Sequence, residues 1–378
     1  MAGKRTIKQQ LFNAVDSRFK AGKGRSKHQD RKNGDSKHDI VYSHSEMERL
    51  KDVAGNFSKF IKEKHPEIWR SQLSGMPVEI VNEYLDTKTD CTQNTINSYT
   101  DSIKKIFRCA GATYKTGDFT EMQYISKPIS ERAEEATLRD VALSRDLHDE
   151  ILKKLTPGTG GYKGNLLNGI LGTRSKETVH IRAKDIDLKK GTVYIHKGKG
   201  GKTRTLKLSK KQIELIKVKI FDKEDFKLNQ MICGCGEDGI QKALTRALER
   251  VDKERGTNFA EQLKDKKTNQ HAGRKMVATE QYNKNVNNGK YKLIYRKLIK
   301  EHREGKINLS GLNKYEIGAR AKYILENYEH KYINKIELLE IEDRAWSKVS
   351  VFLGHGEDRP ELKKVYVITD NTKILSFT

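Results

Sequence analysis

The sequence predicts a mainly α-helical protein with one small β-sheet. Apolar residues recur at three- and four-residue steps over most of the 378 residues, the period of helices that bury one face. Two runs, Thr192–His196 and Thr203–Leu208, are β-prone and flank a glycine-rich turn, which reads as a hairpin. No apolar stretch approaches the ~20 residues that a membrane span requires. A chain of this length supports two or three domains, each with its own core.

Taken in order, residues 1–40 read as a basic, flexible N-terminal arm. They hold eleven Lys/Arg and four Asp, a net of 11 − 4 = +7, in a segment too polar to bury a core. Lys23 and Arg25 are its candidate phosphate contacts. From 41 to 126 three amphipathic stripes predict a small helical domain: Met47 to Ile61, Val78 to Leu85, and Ile96 to Ala110. Thr92 or Asn94 is placed to cap the third. Lys104, Lys105 and Arg108 fall on that helix's predicted outer face, available to a phosphate backbone. Residues 127–136 carry Pro128 and then charge without periodicity, hence a linker.

The region 137–378 opens with a helix capped by Ser144, stopped at Pro157-Gly158. A compact apolar helix through Leu166, Leu167, Ile170 and Leu171 follows, then the hairpin. Ser209 caps a helix with Ile213 and Ile216, and Ile240 to Val251 forms another. Residues 283–340 hold two further helical stripes, Tyr291 to Ile299 and Tyr315 to Leu325, in a strongly basic setting.

Lys and Arg number 75 against 51 acidic residues, for a net charge of +24. Such a balance favours a polyanionic partner, nucleic acid first. The four cysteines, Cys91, Cys109, Cys233 and Cys235, are too sparse for a disulfide framework and fit a reducing compartment. Cys233-Gly234-Cys235 has one residue between its thiols, against the spacing of zinc knuckles, so no metal is expected. Gly201-Lys202-Thr203 mimics the end of a P-loop. However, His196 stands where the first glycine belongs, and strand leads to strand rather than to helix.

Five short pieces share one chemistry. Gly172-Thr173-Arg174-Ser175-Lys176-Glu177 puts an arginine after a buried helix, with a carboxylate three residues on to hold it. Gly198-Lys199-Gly200-Gly201-Lys202 places lysines on the hairpin turn, with Arg204 just beyond. His271-Ala272-Gly273-Arg274 puts two side chains on one helical face. Leu353-Gly354-His355 ends an apolar run, and Tyr366 is the only tyrosine after it. Attack on a phosphodiester needs fixed cations beside the non-bridging oxygens. Arginine suits that task, since it stays charged and its planar fork grips two oxygens. A tyrosine hydroxyl, with an ordinary pKa of ~10, needs nearby cations to become a nucleophile.

In this order the pieces resemble the active site of the tyrosine recombinases, the DNA-rejoining enzymes that include phage integrases. The resemblance covers roughly residues 41–378. It implies a helical, SAM-like core-binding domain at 41–126 and an α+β catalytic domain at 137–378, the two clamping duplex DNA. It implies that Tyr366 attacks to give a 3′-phosphotyrosine, with Arg174, Arg274 and His355 around the phosphate. Lys199, with Lys202 as fallback, becomes the general acid, His271 assists proton transfer, and Glu177 supports Arg174. No metal, cofactor or ATP is implied. Family members act on paired sites as homotetramers, being monomers or weak oligomers without DNA, and residues 367–378 fall where a tail docks on a neighbour. The cytoplasm, at the nucleoid, is the expected location. His271 and His355 stand 84 residues apart, far more than in most of the family, which marks 283–340 as an insertion. The alternatives sharing this pattern are a type IB topoisomerase, a telomere-resolving enzyme and a non-catalytic DNA-binding relative.

Overall fold

The computed structural model describes residues 5–34, 38–116, 120–131, 141–196, 198, 203–265, 270–355, 359–368 and 372–377. It divides into two compact units, Met1–Ala136 and Thr137–Thr378.

The first unit is built from α1 (Ile7–Gly22), α2 (Lys27–Lys32), α3 (His44–Lys64), α4 (Val78–Asp86) and α5 (Gln93–Tyr114). Most of residues 1–40 therefore depart from the flexible arm that composition predicted. Ile7, Leu11, Ala14 and Val15 are fully buried, and α1 packs on α3 and α5. The physical reason is local: these residues recur at helical spacing, and Thr6 and Gln9 form a capping box. The charge around that stripe hid it from a compositional average. Lys23 ends α1 as an exposed cap, and Arg25 pairs with Asp30 at 2.8 Å.

The recovered helix α1 also changes the surroundings of α5. The Lys105 ammonium donates to the Ile40 carbonyl at 2.6 Å, and burial lowers its pKa. It tethers the segment before α3 rather than waiting for a phosphate. Lys104 and Arg108 are half-buried. Residues 128–131 of the expected linker are pinned to this unit: Glu131 N–H donates to the Thr89 carbonyl, and Ser130 Oγ to that of Cys91.

The second unit begins with β1 (Val141–Leu143), α6 (Arg145–Lys154), α7 (Gly160–Leu171) and the single turn α8 (Ser175–Thr178). Strands β2 (Ile186–Asp187), β3 (Thr192–Ile195) and β4 (Arg204–Lys207) form an antiparallel sheet in that order, with Val193 opposite Leu206. Helices α9 (Lys210–Lys219), α10 (Glu237–Arg255) and α11 (Phe259–Asp265) follow. Ser144 and Ser209 cap α6 and α9 as their sequence positions predict. The 34-residue helix α12 (Gln270–Arg303) leads to α13 (Lys314–Asn327), α14 (Glu329–Tyr332), α15 (Lys335–Phe352), α16 (Lys363–Tyr366) and β5 (Lys373–Leu375).

Two apolar cores fill this unit. One joins α6, α7, α10, the sheet and the start of α12. The other joins the rest of α12 to α13, α15 and α16. The stretch 283–340 is thus no separate appendage, because α12 enters it and α15 leaves it without interruption. Near the end of the chain, β5 pairs in parallel with β1. Among the described residues no helix is long and apolar enough to cross a membrane, and no cluster has the makings of a metal site.

A candidate phosphodiester site

Helix α7 delivers the first arginine. It ends on Gly172, whose φ of +59° is a left-handed conformation that favours glycine. A Cβ there would lie 3.0 Å from Val277 Cγ1. The chain then turns sharply, and Arg174 caps α8. Behind the turn, Thr173 Oγ shares a hydrogen with Thr178 Oγ at 2.7 Å, and both hydroxyls face the Asn168 amide oxygen. The loop is therefore fixed by buried, satisfied polar groups.

Glu177 is the hub of the site. Its carboxylate accepts from Arg174 Nη1 at 2.8 Å and from Arg204 at 3.2 and 2.9 Å. Arg274 Nη1 stands 3.9 Å away. Burial pushes the Glu177 carboxyl up, but the bond and charge of Arg204 outweigh it, helped by the Arg174 backbone and Arg274. The net result is a pKa of about 2, so Glu177 is an anion at neutral pH.

Arg274 rises from the first turn of α12 and is 2% exposed. It donates to the Gly172 carbonyl at 2.5 Å and the Leu353 carbonyl at 2.7 Å. Its Nε–H has no acceptor among the described residues. Burial and the nearby Arg174 lower its pKa to about 10, with Tyr366 and Glu177 opposing, so it too is charged at neutral pH.

His355 follows the C-terminus of α15, after Gly354 with φ +78°. Its Nε2 lies 3.4 Å from Arg174 Nη2 and 3.4 Å from Arg274 Nη2. Two donors facing one ring nitrogen favour the tautomer with hydrogen on Nδ1. Tyr366 ends α16, with its ring 4.9 Å from that of His355. The Arg274 guanidinium carbon sits 5.2 Å over the phenol. Helix α16 is seated on α12: Ile368 N–H donates to Thr279 Oγ1 at 2.8 Å, and Lys363 lies over the Tyr282 ring.

Arg174, Arg274, His355 and Tyr366 are thus gathered about one point, with Glu177 behind. His271 lines a cleft of about 200 Å³ together with Thr173, Arg174, Lys176, Gln270 and Arg274. Lys199 and Lys202 lie outside the described residues. Arg204, expected to reach DNA, instead faces inward with 10% of its side chain exposed. Besides its two bonds to Glu177, its Nε donates to the Phe352 carbonyl at 2.9 Å. The sequence held a signal for this. Residues two apart on a strand share a face, so Arg204 lies on the side of buried Leu206. The Asn168–Thr173–Thr178 network was missed, because nothing in a lone Asn or Thr points to it.

Residues 166–290, about a third of the chain, match the family model described as the phage integrase family. No curated protein sequence matches the chain. Among solved structures the chain is similar to the Tn1549 transposon integrase (residues 82–397) in complex with circular intermediate DNA. That similarity is 14% identity and a TM-score of 0.44, covering 89% of this chain and 94% of that one. It is also similar to the XerH site-specific recombinase bound to difH substrate, at 18% identity and 0.45, covering 74% and 84%. With XerA recombinase the identity is 12% and the TM-score 0.30, covering 89% and 98%.

Proposed function

We infer that this chain, which carries a phage integrase domain at residues 166–290, is a site-specific DNA recombinase whose nucleophile is Tyr366. The observation that carries the assignment of roles is the grouping of that phenol with His355, Arg174 and Arg274 about one point. A non-catalytic DNA binder has no need of a tyrosine there.

In the proposed step, Tyr366 Oη loses its proton and bonds to the scissile phosphorus. The P–O5′ bond breaks, and the departing 5′ oxygen takes a proton. The products are a 3′-phosphotyrosine and a free 5′ hydroxyl. Charge builds on the non-bridging oxygens, and fixed guanidinium donors are worth most where that charge develops. Arg174 and Arg274 supply them, and His355 adds a ring donor once it turns toward the phosphate. Glu177 aligns both arginines without touching substrate. Lys199 is assigned to protonate the 5′ oxygen, and His271 to proton transfer at the cleft. A second attack, by the 5′ hydroxyl of a partner strand, rejoins the DNA and frees Tyr366. Bond energy is kept in the phosphotyrosine, so the exchange is balanced without ATP. The substrate is duplex DNA carrying paired sites, bound by four copies of the chain.

The test is covalent trapping on nicked duplexes cut from the DNA flanking the chain's own gene. A denaturant-resistant adduct at one sequence, missing in Tyr366→Phe, is the expected result. Adducts at many unrelated sequences would point to a topoisomerase, and tight binding with no adduct would count against catalysis.

A further inference from the structure

Helix α12 carries its cations in two classes. Between Glu280 and Glu301 the sequence has no acidic residue, yet it has six basic ones: Lys284, Lys290, Lys292, Arg296, Lys297 and Lys300. Those that turn inward are neutralised. Lys290 pairs with Glu329 at 2.6 Å, and Lys297 with Glu337 at 2.8 Å and the Tyr332 carbonyl at 2.6 Å. Those that turn outward are not. Lys284, Lys292, Arg296 and Arg303 are exposed and have no carboxylate partner among the described residues. Lys300, also exposed, has only an i,i+4 approach to Glu304 at 3.7 Å.

Lys292, Arg296 and Lys300 follow one another at four-residue steps. Like charges at that spacing destabilise a helix by about 0.2–0.5 kcal/mol per pair, and an ordinary solvated face alternates its signs. The fold neutralises its inner lysines and leaves an unfavourable row outside, running 303 − 284 = 19 residues, or about 28 Å at 1.5 Å each. The row is also aligned with the site. Lys292 lies 292 − 274 = 18 residues beyond Arg274, or about five turns at 3.6 residues each. The side of α12 that points Arg274 inward thus returns to solvent as the cationic row.

We propose that the outer face of α12, Lys284 to Arg303, is a second DNA-binding surface that grips duplex backbone away from the scissile phosphate. The occupant is duplex DNA because the exposed residues from 283 to 303 are all Lys, Arg or Asn, with no exposed carboxylate or apolar side chain among them, in a chain of charge +24. This rests on the recombinase assignment only in taking duplex DNA as the substrate.

The experiment measures binding of a 40-base-pair duplex against salt by fluorescence anisotropy. It uses full-length Tyr366→Phe protein, so cleavage plays no part. The background protein is compared with a triple variant, Lys292→Ala, Arg296→Ala, Lys300→Ala, and a charge-keeping one, Lys292→Arg, Arg296→Lys, Lys300→Arg. Losing three phosphate contacts should reduce the slope of log affinity on log salt by about 2–3, with thermal melting unchanged. The charge-keeping variant should retain the slope. An alanine variant that binds with the unaltered slope would overturn the proposal and leave the assignment of Tyr366 standing. Failure of the background protein itself to bind duplex would sink both.

Discussion

The two ends of α12 use the same kind of residue in opposite ways. At the near end Arg274 is buried, held by two carbonyls and close to Glu177. At the far end Lys292 and Arg296 stand in solvent with no carboxylate partner among the described residues. A buried guanidinium has a fixed position and a high cost of desolvation, so it suits the one atom group where geometry decides the rate. Exposed cations are mobile, interchangeable and screened by salt, so they suit a backbone that repeats. The comparison predicts that near-end changes alter stability and chemistry, while far-end changes alter only affinity and its salt dependence.

The largest break should come from Arg274→Ala. It strips donors from the Gly172 and Leu353 carbonyls and a counter-charge from Glu177. The second unit should lose about 3–5 kcal/mol in urea unfolding, and adduct formation should vanish. If stability and adduct were both unchanged, the near-end description would be wrong.

Glu177→Gln comes next, costing about 2–3 kcal/mol at pH 7, because three guanidinium groups lose their anion. It also carries a pH signature. The folded pKa of about 2 lies below the ordinary 4.5, so the stabilisation is complete above about pH 4.5. It drains away as the pH falls through about 2. Wild type and variant should therefore converge in stability across that window, and a constant gap would refute the assignment.

Gly172→Ala is a smaller change. The left-handed φ costs a residue with a Cβ roughly 1–2 kcal/mol, and the contact with Val277 adds to it. A lowered melting temperature with unaltered DNA affinity is expected; weakened affinity at normal melting would speak against it. Smallest is Lys105→Met, which removes the bond to the Ile40 carbonyl for about 1 kcal/mol. Its salt slope of DNA binding should match wild type, in contrast to the α12 row. A reduced slope would restore Lys105 to the DNA surface.

The helical class, the hairpin and the caps at Ser144 and Ser209 were legible because period and capping are local properties. Arg174, Glu177, Arg274, His355 and Tyr366 were legible as candidates because their types and order suit phosphoryl transfer. Their convergence was not, since 181 residues separate Arg174 from His355. Helix α1 was obscured because its buried stripe sits in a basic segment whose average looks like a tail. Charge alone points Arg204 to DNA, whereas its strand face turns it to Glu177 and the Phe352 carbonyl. The parallel pairing of β1 with β5 is long-range and left no local mark.

The central claim is that Tyr366, set against His355 and Arg274, forms the covalent bond to DNA. The most direct measurement is mass spectrometry of the peptide released from trapped protein–DNA adducts after nuclease and protease digestion. The account predicts a nucleotide joined through its 3′ phosphate to Tyr366. A phosphate on any other residue, or an adduct that persists in Tyr366→Phe, would contradict it.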